Sequence, residues 1–143
     1  MKRILALPAL TLCLSLAGCM ATYVPAPDEP TATVRVIGAG IPRMCSDGKR
    51  FSLPEAPGVP DGVIVPAGHR ITLGVDLSSA GYNVIYFCQP FLSFIPYGEH
   101  TYVMHGSMVA QGRCAVEVAQ ENQSGNNGLM LEYTMGRGQC TSR

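Results

Sequence analysis

Hydrophobic and polar residues alternate with a period of two along much of the chain after residue 31. In His69–Ser78, the side chains of Ile71, Leu73, Val75 and Leu77 fall on one face and polar or small residues fall on the other. Such alternation is typical of a half-buried β-strand. This alternation predicts strands over Ala32–Ile37, His69–Ser78, Arg113–Gln120 and Leu129–Met135. Two further strands are predicted over Tyr82–Cys88 and over Thr101–Val109, which is interrupted by Gly106.

Turn-forming residues separate the predicted strands. Pro66-Ala67-Gly68 and Pro96-Tyr97-Gly98 precede two of them, and Ser124-Gly125-Asn126-Asn127-Gly128 predicts a hairpin between the last two. Tyr82–Cys88 is apolar on both faces, which favours a central strand covered on both sides. With a short strand near Phe51, the count is about seven, which predicts an all-β fold, an antiparallel two-sheet sandwich over residues 32–143.

The stretch from Cys45 to Val63 contains Pro54, Pro57 and Pro60 and lacks a strand-length alternation. We interpret it as a long loop around the short strand at Phe51. Loops held by a rigid sheet often carry binding residues, so this loop is a predicted place for a binding surface.

The N-terminus has the features of an export signal. Met1-Lys2-Arg3 is basic, and Ile4–Leu16 is an apolar run too short to span a bilayer. Leu16-Ala17-Gly18-Cys19 resembles the lipobox of bacterial lipoproteins. The resemblance implies that residues 1–18 are a signal peptide, that Cys19 is lipidated, and that its acyl chains attach the mature protein to a membrane. Met20, where an Asp would favour the inner membrane, implies an outer-membrane protein that faces the periplasm.

Residues 19–31 follow the proposed cleavage site and contain Pro25, Pro27 and Pro30. Proline-rich segments favour extended conformations, so we predict a flexible tether between lipidated Cys19 and the sandwich.

Four cysteines remain after Cys13 leaves with the signal and Cys19 is lipidated. An even number in an exported chain predicts two disulfides among Cys45, Cys88, Cys114 and Cys140. The sequence allows three pairings. Because sequence neighbours tend to be spatial neighbours, it favours Cys45–Cys88 with Cys114–Cys140.

Several further segments resemble those of small bacterial envelope lipoproteins whose activity is not known. They are Val65-Pro66-Ala67-Gly68, Cys88-Gln89-Pro90, Phe94-Ile95-Pro96-Tyr97-Gly98 with Tyr102, and Cys114-Ala115-Val116. The resemblance implies an immunoglobulin-like or transthyretin-like sandwich.

Charge and motif patterns exclude two classes of function. Lys2 and Arg3 leave with the signal, so 8 of the 10 basic residues remain against 10 acidic ones, a net charge near −2 that argues against nucleic-acid binding. Val34–Gly40 ends in Gly-x-Gly, but a dinucleotide fingerprint needs a third glycine where Arg43 stands. We interpret this run as a first strand that ends in a glycine turn, and predict no cofactor.

Candidate sites are few. His69, His100 and His105 with nearby methionines could bind copper, but His100 and His105 would face opposite sides of one strand, and we predict no metal. Ser107 beside His105 lacks a third catalytic residue. Aromatic residues in a predicted connection favour a partner surface at Phe91, Phe94 and Tyr97.

These observations predict a non-enzymatic, lipid-anchored envelope protein, an accessory or structural module that acts by protein contact. The alternative is a binder of glycan or peptidoglycan, or an inhibitor of a wall-degrading enzyme. Ser78-Ser79-Ala80-Gly81-Tyr82 resembles a loop of lysozyme inhibitors, although the chain lacks tryptophan.

Overall fold

The fold consists of β-strands joined by turns and loops. A computed structural model describes residues 20–122 and 128–141, and within these ranges it contains eleven strands and no helix. The strands are β1 (Thr31–Ile37), β2 (Ile41–Ser46), β3 (Lys49–Phe51), β4 (Gly62–Pro66), β5 (Ile71–Gly81), β6 (Val84–Cys88), β7 (Phe91–Phe94), β8 (Thr101–Ala110), β9 (Arg113–Glu121), β10 (Leu129–Leu131) and β11 (Gly136–Arg137).

The strands form two sheets. Sheet I has the order β10-β9-β8-β1-β4, and sheet II has the order β11-β7-β5-β2-β3, with β6 also paired to β5. All neighbouring strands are antiparallel except β1 and β8, which are parallel. The all-β prediction is therefore confirmed, whereas the prediction of a wholly antiparallel arrangement is wrong at the centre of sheet I.

The hydrophobic core lies between the two sheets. Sheet I contributes Val34 and Met104 and sheet II contributes Leu73, Val75 and Phe94, all of them almost completely buried. The sheets lie close together at Gly106, where an added Cβ would be 2.5 Å from the Cγ2 atom of Val75. The period-two pattern of His69–Ser78 is confirmed, because its apolar face is the core face of β5.

The predicted count of about seven is too low, because β2, β4 and β7 lack a clear alternation and β11 has only two residues. β2 and β7 are short and contain or follow prolines, and β4 is apolar on successive residues. Each is held by pairing with a longer neighbour, such as Leu92 of β7 opposite Leu73 of β5. Pairing partners far apart in the chain are not visible in a local pattern.

Two predicted strands have the wrong environment. Tyr82–Cys88 is not a central strand: among the strands of the described ranges β6 pairs only with β5, and it is largely exposed. The alternation of Leu129–Met135 predicts Leu129, Leu131 and Tyr133 inward and Glu132 outward, but the three apolar residues are exposed and Glu132 is buried. β10 is an edge strand, and the chain then turns so that Glu132 accepts hydrogen bonds from the backbone N–H and the hydroxyl of Thr134.

The disulfides join Cys45 to Cys140 and Cys88 to Cys114. The predicted pairing of sequence neighbours is therefore wrong. Cys45 lies on β2 of sheet II, and Cys88 at the end of β6 lies close to Cys114 on β9 of sheet I. The sheet order decides the pairing: it brings the consecutive cysteines Cys88 and Cys114 together, and it leaves Cys45 to bond with Cys140, 95 residues further along the chain.

Residues 21–31 do not form a free tether. The backbone N–H of Tyr23 donates to Ser52 O (2.9 Å) and that of Ser52 donates to Ala21 O (3.0 Å), so this segment extends sheet II beside β3. Tyr23 packs against the core and its hydroxyl donates to Glu29. The predicted signal peptide and the lipidation site Cys19 lie outside the described residues.

The turn after β1 is confirmed. β1 ends at Ile37, and Gly38 and Gly40 have positive φ angles of 91° and 144°. An added Cβ at Gly40 would lie 2.9 Å from the Leu77 side chain. Residues 38–40 therefore form a tight connection to β2.

Candidate interaction surface

A two-stranded hairpin formed by the second half of β5 and by β6 exposes large apolar side chains. Tyr82 in its turn is 94% exposed, Ile85 is 74% exposed and Phe87 is 60% exposed. Since β6 pairs only with β5, no further strand covers this hairpin within the described residues. These side chains are available to another molecule.

The exposed side chains of Ile85 and Phe87 share a face, because alternate residues of a strand point to the same side. Ser78 lies opposite Phe87 and Ala80 lies opposite Ile85, and residues that are directly paired across a sheet point to the same side. The small side chains on β5 leave the large ones on β6 uncovered. Asn83 in the turn has a positive φ of 53°, which asparagine tolerates better than most residues.

Tyr86 stabilises the other face of the hairpin. An added Cβ at Gly81 would lie 2.8 Å from the Cε2 atom of Tyr86, so the tyrosine ring packs across a glycine that has no side chain. The Tyr86 ring thus covers Gly81 on this face, whereas Val84 on the same face is 43% exposed.

The Cys88–Cys114 disulfide joins the base of the hairpin to sheet I. Cys88 pairs with Leu77 at the point where β5 leaves the core, and Cys114 lies on β9. Both cysteines are partly buried against the core. A covalent bond at this point limits the movement of the hairpin relative to the sheets.

Other exposed apolar residues lie at the same end of the sandwich. β1 runs parallel to β8, and Gly106 of β8 packs on Val75 and Leu77, so the end of β1 and the β8–β9 turn lie toward the hairpin. We call this the apical end. The apical surface comprises the exposed apolar residues there: Ile37, Ile41, Tyr82, Val84, Ile85, Phe87 and Val109.

The proline-rich segment borders an open groove. A space of about 1080 Å³ lies between the end of β1 and residues 55–63, with Arg35, Glu55 and Asp61 among its charged lining residues. The backbone N–H of Val36 donates to Asp61 O (3.0 Å), which fixes the segment to sheet I. The segment predicted as a loop over Cys45–Val63 therefore includes the end of β2 and the start of β4 as well as β3. Its proline-rich part borders one surface groove.

Only part of the predicted partner surface is exposed. Tyr97 is 55% exposed, Phe91 is half-buried over Gly74, and Phe94 is fully buried, with its ring 5.2 Å from that of Tyr102. The inclusion of Phe94 is therefore wrong. The three residues were placed in a connection, but Phe91–Phe94 is strand β7, and Leu92 and Phe94 point into the core.

The histidines occupy separate positions. His100 lies before β8 and contacts the Gln120 amide, whereas His105 is exposed on the outer face of sheet I. Met104 is buried in the core and Met130 and Met135 are exposed. Among the described residues, no group of three or more His, Cys, Asp or Glu side chains is arranged to hold a metal ion.

His105 and Ser107 lie on the same face of β8, and Glu117 is the cross-strand partner of His105. No hydrogen bond among the described residues joins these three side chains. The arrangement therefore lacks the contacts by which a base activates a nucleophile.

Two ion pairs involve residues below the apical surface. Arg43 Nε donates to Asp76 Oδ2 at 2.8 Å on the outer face of sheet II, and Arg35 on sheet I pairs with Glu121. Ile41, the cross-strand partner of Asp76, is exposed. The Arg43–Asp76 pair thus borders Ile41 of the apical surface, whereas the Arg35–Glu121 pair lies toward the opposite end of sheet I.

The composition of β5 indicates that the hairpin is exposed, which the period of its hydrophobic residues does not show. Ser78-Ser79-Ala80-Gly81 lies opposite β6 and offers no large side chain on either face. Small side chains cannot cover the large side chains of the strand beside them. The exposure of Ile85 and Phe87 therefore depends on the composition of both β5 and β6.

No helix within residues 20–122 and 128–141 has the length and apolarity needed to cross a bilayer. Comparisons of the chain with protein-family models, with curated proteins and with solved structures found no match.

Proposed function

We propose that this chain is a lipid-anchored envelope protein that acts without catalysis, by binding another protein through its apical surface. The observation that carries the proposal is the projecting β5–β6 hairpin, with Tyr82, Ile85 and Phe87 exposed on a ribbon whose base is cross-linked. Contiguous exposed apolar residues mark interaction sites on soluble domains.

The disulfide at the hairpin base supports binding rather than simple exposure. A flexible ribbon would lose conformational entropy when a partner bound it, and that loss would reduce affinity. The Cys88–Cys114 bond holds the base of the ribbon before binding. Aromatic side chains such as Tyr82 and Phe87 are also the type that interfaces favour.

The membrane anchor is proposed from the lipobox Leu16-Ala17-Gly18-Cys19. Two or three acyl chains on one cysteine would hold the protein on a membrane, because one chain binds only reversibly. The disulfides fit a location outside the cytoplasm, where thiols are oxidised. We place the protein on the outer membrane, facing the periplasm.

Site-specific photo-crosslinking in intact cells tests this proposal. A photoreactive amino acid at Phe87 is expected to give a discrete protein adduct, and the same amino acid at Tyr133, which is also highly exposed, is expected not to give it. Excess purified domain should compete for the adduct, whereas the Ile85→Ser/Phe87→Ser domain should not. Absence of the adduct, or equal adducts from both positions, would contradict the proposal.

A second candidate function is inhibition of a wall-degrading enzyme. Ser78–Tyr82, which resembles a loop of lysozyme inhibitors, forms the exposed first strand and turn of the hairpin. A narrow ribbon can enter an active-site cleft, and this placement favours the candidate. A lysozyme assay with the purified protein and with Ser79→Arg tests it: inhibition by the first and not the second supports it, and no inhibition by either excludes it for lysozyme.

A further inference from the structure

The N-terminal segment connects the predicted anchor to one end of the sandwich. Thr22 and Ser52 form a parallel bridge, with hydrogen bonds from Tyr23 N to Ser52 O and from Ser52 N to Ala21 O. When the parallel register of Thr22 and Ser52 is extended two residues toward the N-terminus, Met20 lies beside Arg50. The predicted lipidation site Cys19 is the next residue, and consecutive Cα atoms are about 3.8 Å apart.

The end of the sandwich beside Met20 carries the β2–β3 turn. Ser46 pairs with Lys49, and Asp47 and Gly48 form the turn between them. We call this the basal end. Lys49 and Arg50 are exposed there, and Lys49 is the only lysine after residue 18.

The hairpin lies at the opposite end. Cys45 near the β2–β3 turn pairs with Thr72, and Ile41 at the other end of β2 pairs with Asp76. β5 then continues past β2 to Gly81, so that its direction leads from the basal end to the hairpin turn at Tyr82. At about 3.3 Å per residue, Thr72 and Tyr82 are about 33 Å apart along the strand.

We infer that the mature protein lies with its basal end against the membrane, with Lys49 facing phospholipid headgroups and the hairpin turn at Tyr82 directed away from them, about 33 Å from Thr72 along β5. The inference rests on the proposed acylation of Cys19. Because Ala21–Tyr23 is hydrogen-bonded to Ser52, almost no free chain separates the acyl chains from the sheet. An anchor followed by a long free tether would allow many orientations, whereas this connection allows few.

Charge complementarity favours phospholipid headgroups as the occupant of the basal end. Basic side chains near a membrane surface are attracted by anionic headgroups, and the attraction falls off within a Debye length. Lys49 lies within this distance of Met20, whereas the guanidinium of its neighbour Arg50 donates to the side chain of Gln89. The apical surface, by contrast, is mainly apolar and is directed toward a protein partner.

Depth-dependent fluorescence quenching tests this orientation. The natively processed protein is reconstituted into vesicles of phosphatidylethanolamine and phosphatidylglycerol that contain a headgroup-nitroxide lipid. A fluorescent amino acid replaces either Ser46 at the basal end or Tyr82 at the apical end, both exposed. Quenching at Ser46 is expected to exceed that at Tyr82 at least threefold, and equal or reversed quenching would overturn the inference.

A charge variant tests the headgroup contact itself. In the same vesicles, Lys49→Glu is expected to lower quenching at Ser46 about twofold, whereas the control Arg113→Glu, at the apical end of β9, leaves it unchanged. No difference between the two variants would overturn the role of Lys49.

Intact mass spectrometry separates this inference from the proposed function. If the native N-terminus carries no acyl chains, the proposed anchor fails. The orientation is then measured on protein from Cys19 onward, coupled through the Cys19 thiol to a maleimide lipid, because all contacts described for the fold lie after residue 19. The same difference in quenching is expected there, and its absence overturns the geometric inference alone.

Discussion

Cys88 at the end of β6 is bonded to Cys114 on β9, so a covalent link joins the base of the exposed hairpin to the opposite sheet. The link is placed where β5 leaves the core at Leu77. The bond should therefore both stabilise the sandwich and hold the candidate interaction surface in position, and both effects can be measured.

Replacing both residues, Cys88→Ser with Cys114→Ser, should lower stability and loosen the hairpin. The bond closes a loop with a sequence separation of 26, which corresponds to about 3.5 kcal/mol in the loop-entropy model. Urea denaturation measures this loss. Amide hydrogen exchange should accelerate in β6 before it accelerates in β8, and uniform acceleration would contradict a local role for the bond.

The Cys45–Cys140 bond should contribute more than the Cys88–Cys114 bond. Its sequence separation is 95, and the same model assigns about 4.7 kcal/mol to a loop of this length. Denaturation of the Cys45→Ser/Cys140→Ser variant measures the difference. Peptide mapping without reduction should find both pairs, and any Cys45–Cys88 peptide would refute the pairing.

Truncation to alanine should lower the free energy of unfolding strongly at Phe94 and hardly at all at Phe87. Phe94→Ala removes a fully buried ring and should cost about 3–5 kcal/mol, because a cavity remains in the core. Phe87→Ala removes an exposed ring and should change stability by less than about 0.5 kcal/mol. Thermal or urea unfolding of both variants checks this, and similar losses would indicate that the hairpin face is covered.

Gly74 should not tolerate a side chain. A Cβ there would lie 2.5 Å from both Phe91 Cδ1 and the Pro90 carbonyl oxygen, so that Gly74→Ala displaces the start of β7 and should cost about 1–3 kcal/mol. Gly136→Ala is the matched control, since its nearest neighbour would be Ser93 Oγ at 3.4 Å. Equal urea midpoints for the two variants would count against this packing.

The contact between Tyr23 and Glu29 should depend on pH. The Tyr23 hydroxyl donates to Glu29 and lowers the pKa of that carboxyl, while burial, together with the carboxylate, raises the pKa of Tyr23. A depressed folded-state pKa contributes stability above the unfolded value of about 4.3 that is lost as the pH falls through the folded value. Acid should therefore weaken the attachment of the N-terminal segment.

NMR titration of the Glu29 side chain measures this effect. In Tyr23→Phe, which keeps the ring packing and removes the hydroxyl, the pKa of Glu29 should rise toward its ordinary value. An unchanged pKa in that variant would mean that another group, such as His69, causes the depression.

The local hydrophobic pattern is sufficient to predict the strands that have one buried face and one exposed face. β1 and β5 alternate in hydrophobicity because one face of each is core, and their predicted positions agree with the structure within a few residues. β2, β4 and β7 were missed because pairing with β5 or β1, distant in sequence, supplies their hydrogen bonds.

The sequence by itself determined that this chain is a β protein with an even set of cysteines for disulfides, because side-chain period and cysteine count are local or compositional properties. Only the tertiary structure decided which cysteines are bonded, that Phe94 is core, and that Ile85 and Phe87 are exposed. The reason is that sheet order is set by the simultaneous burial of both core faces. Whether an apolar residue is covered depends on the strand beside it, which can lie anywhere in the chain.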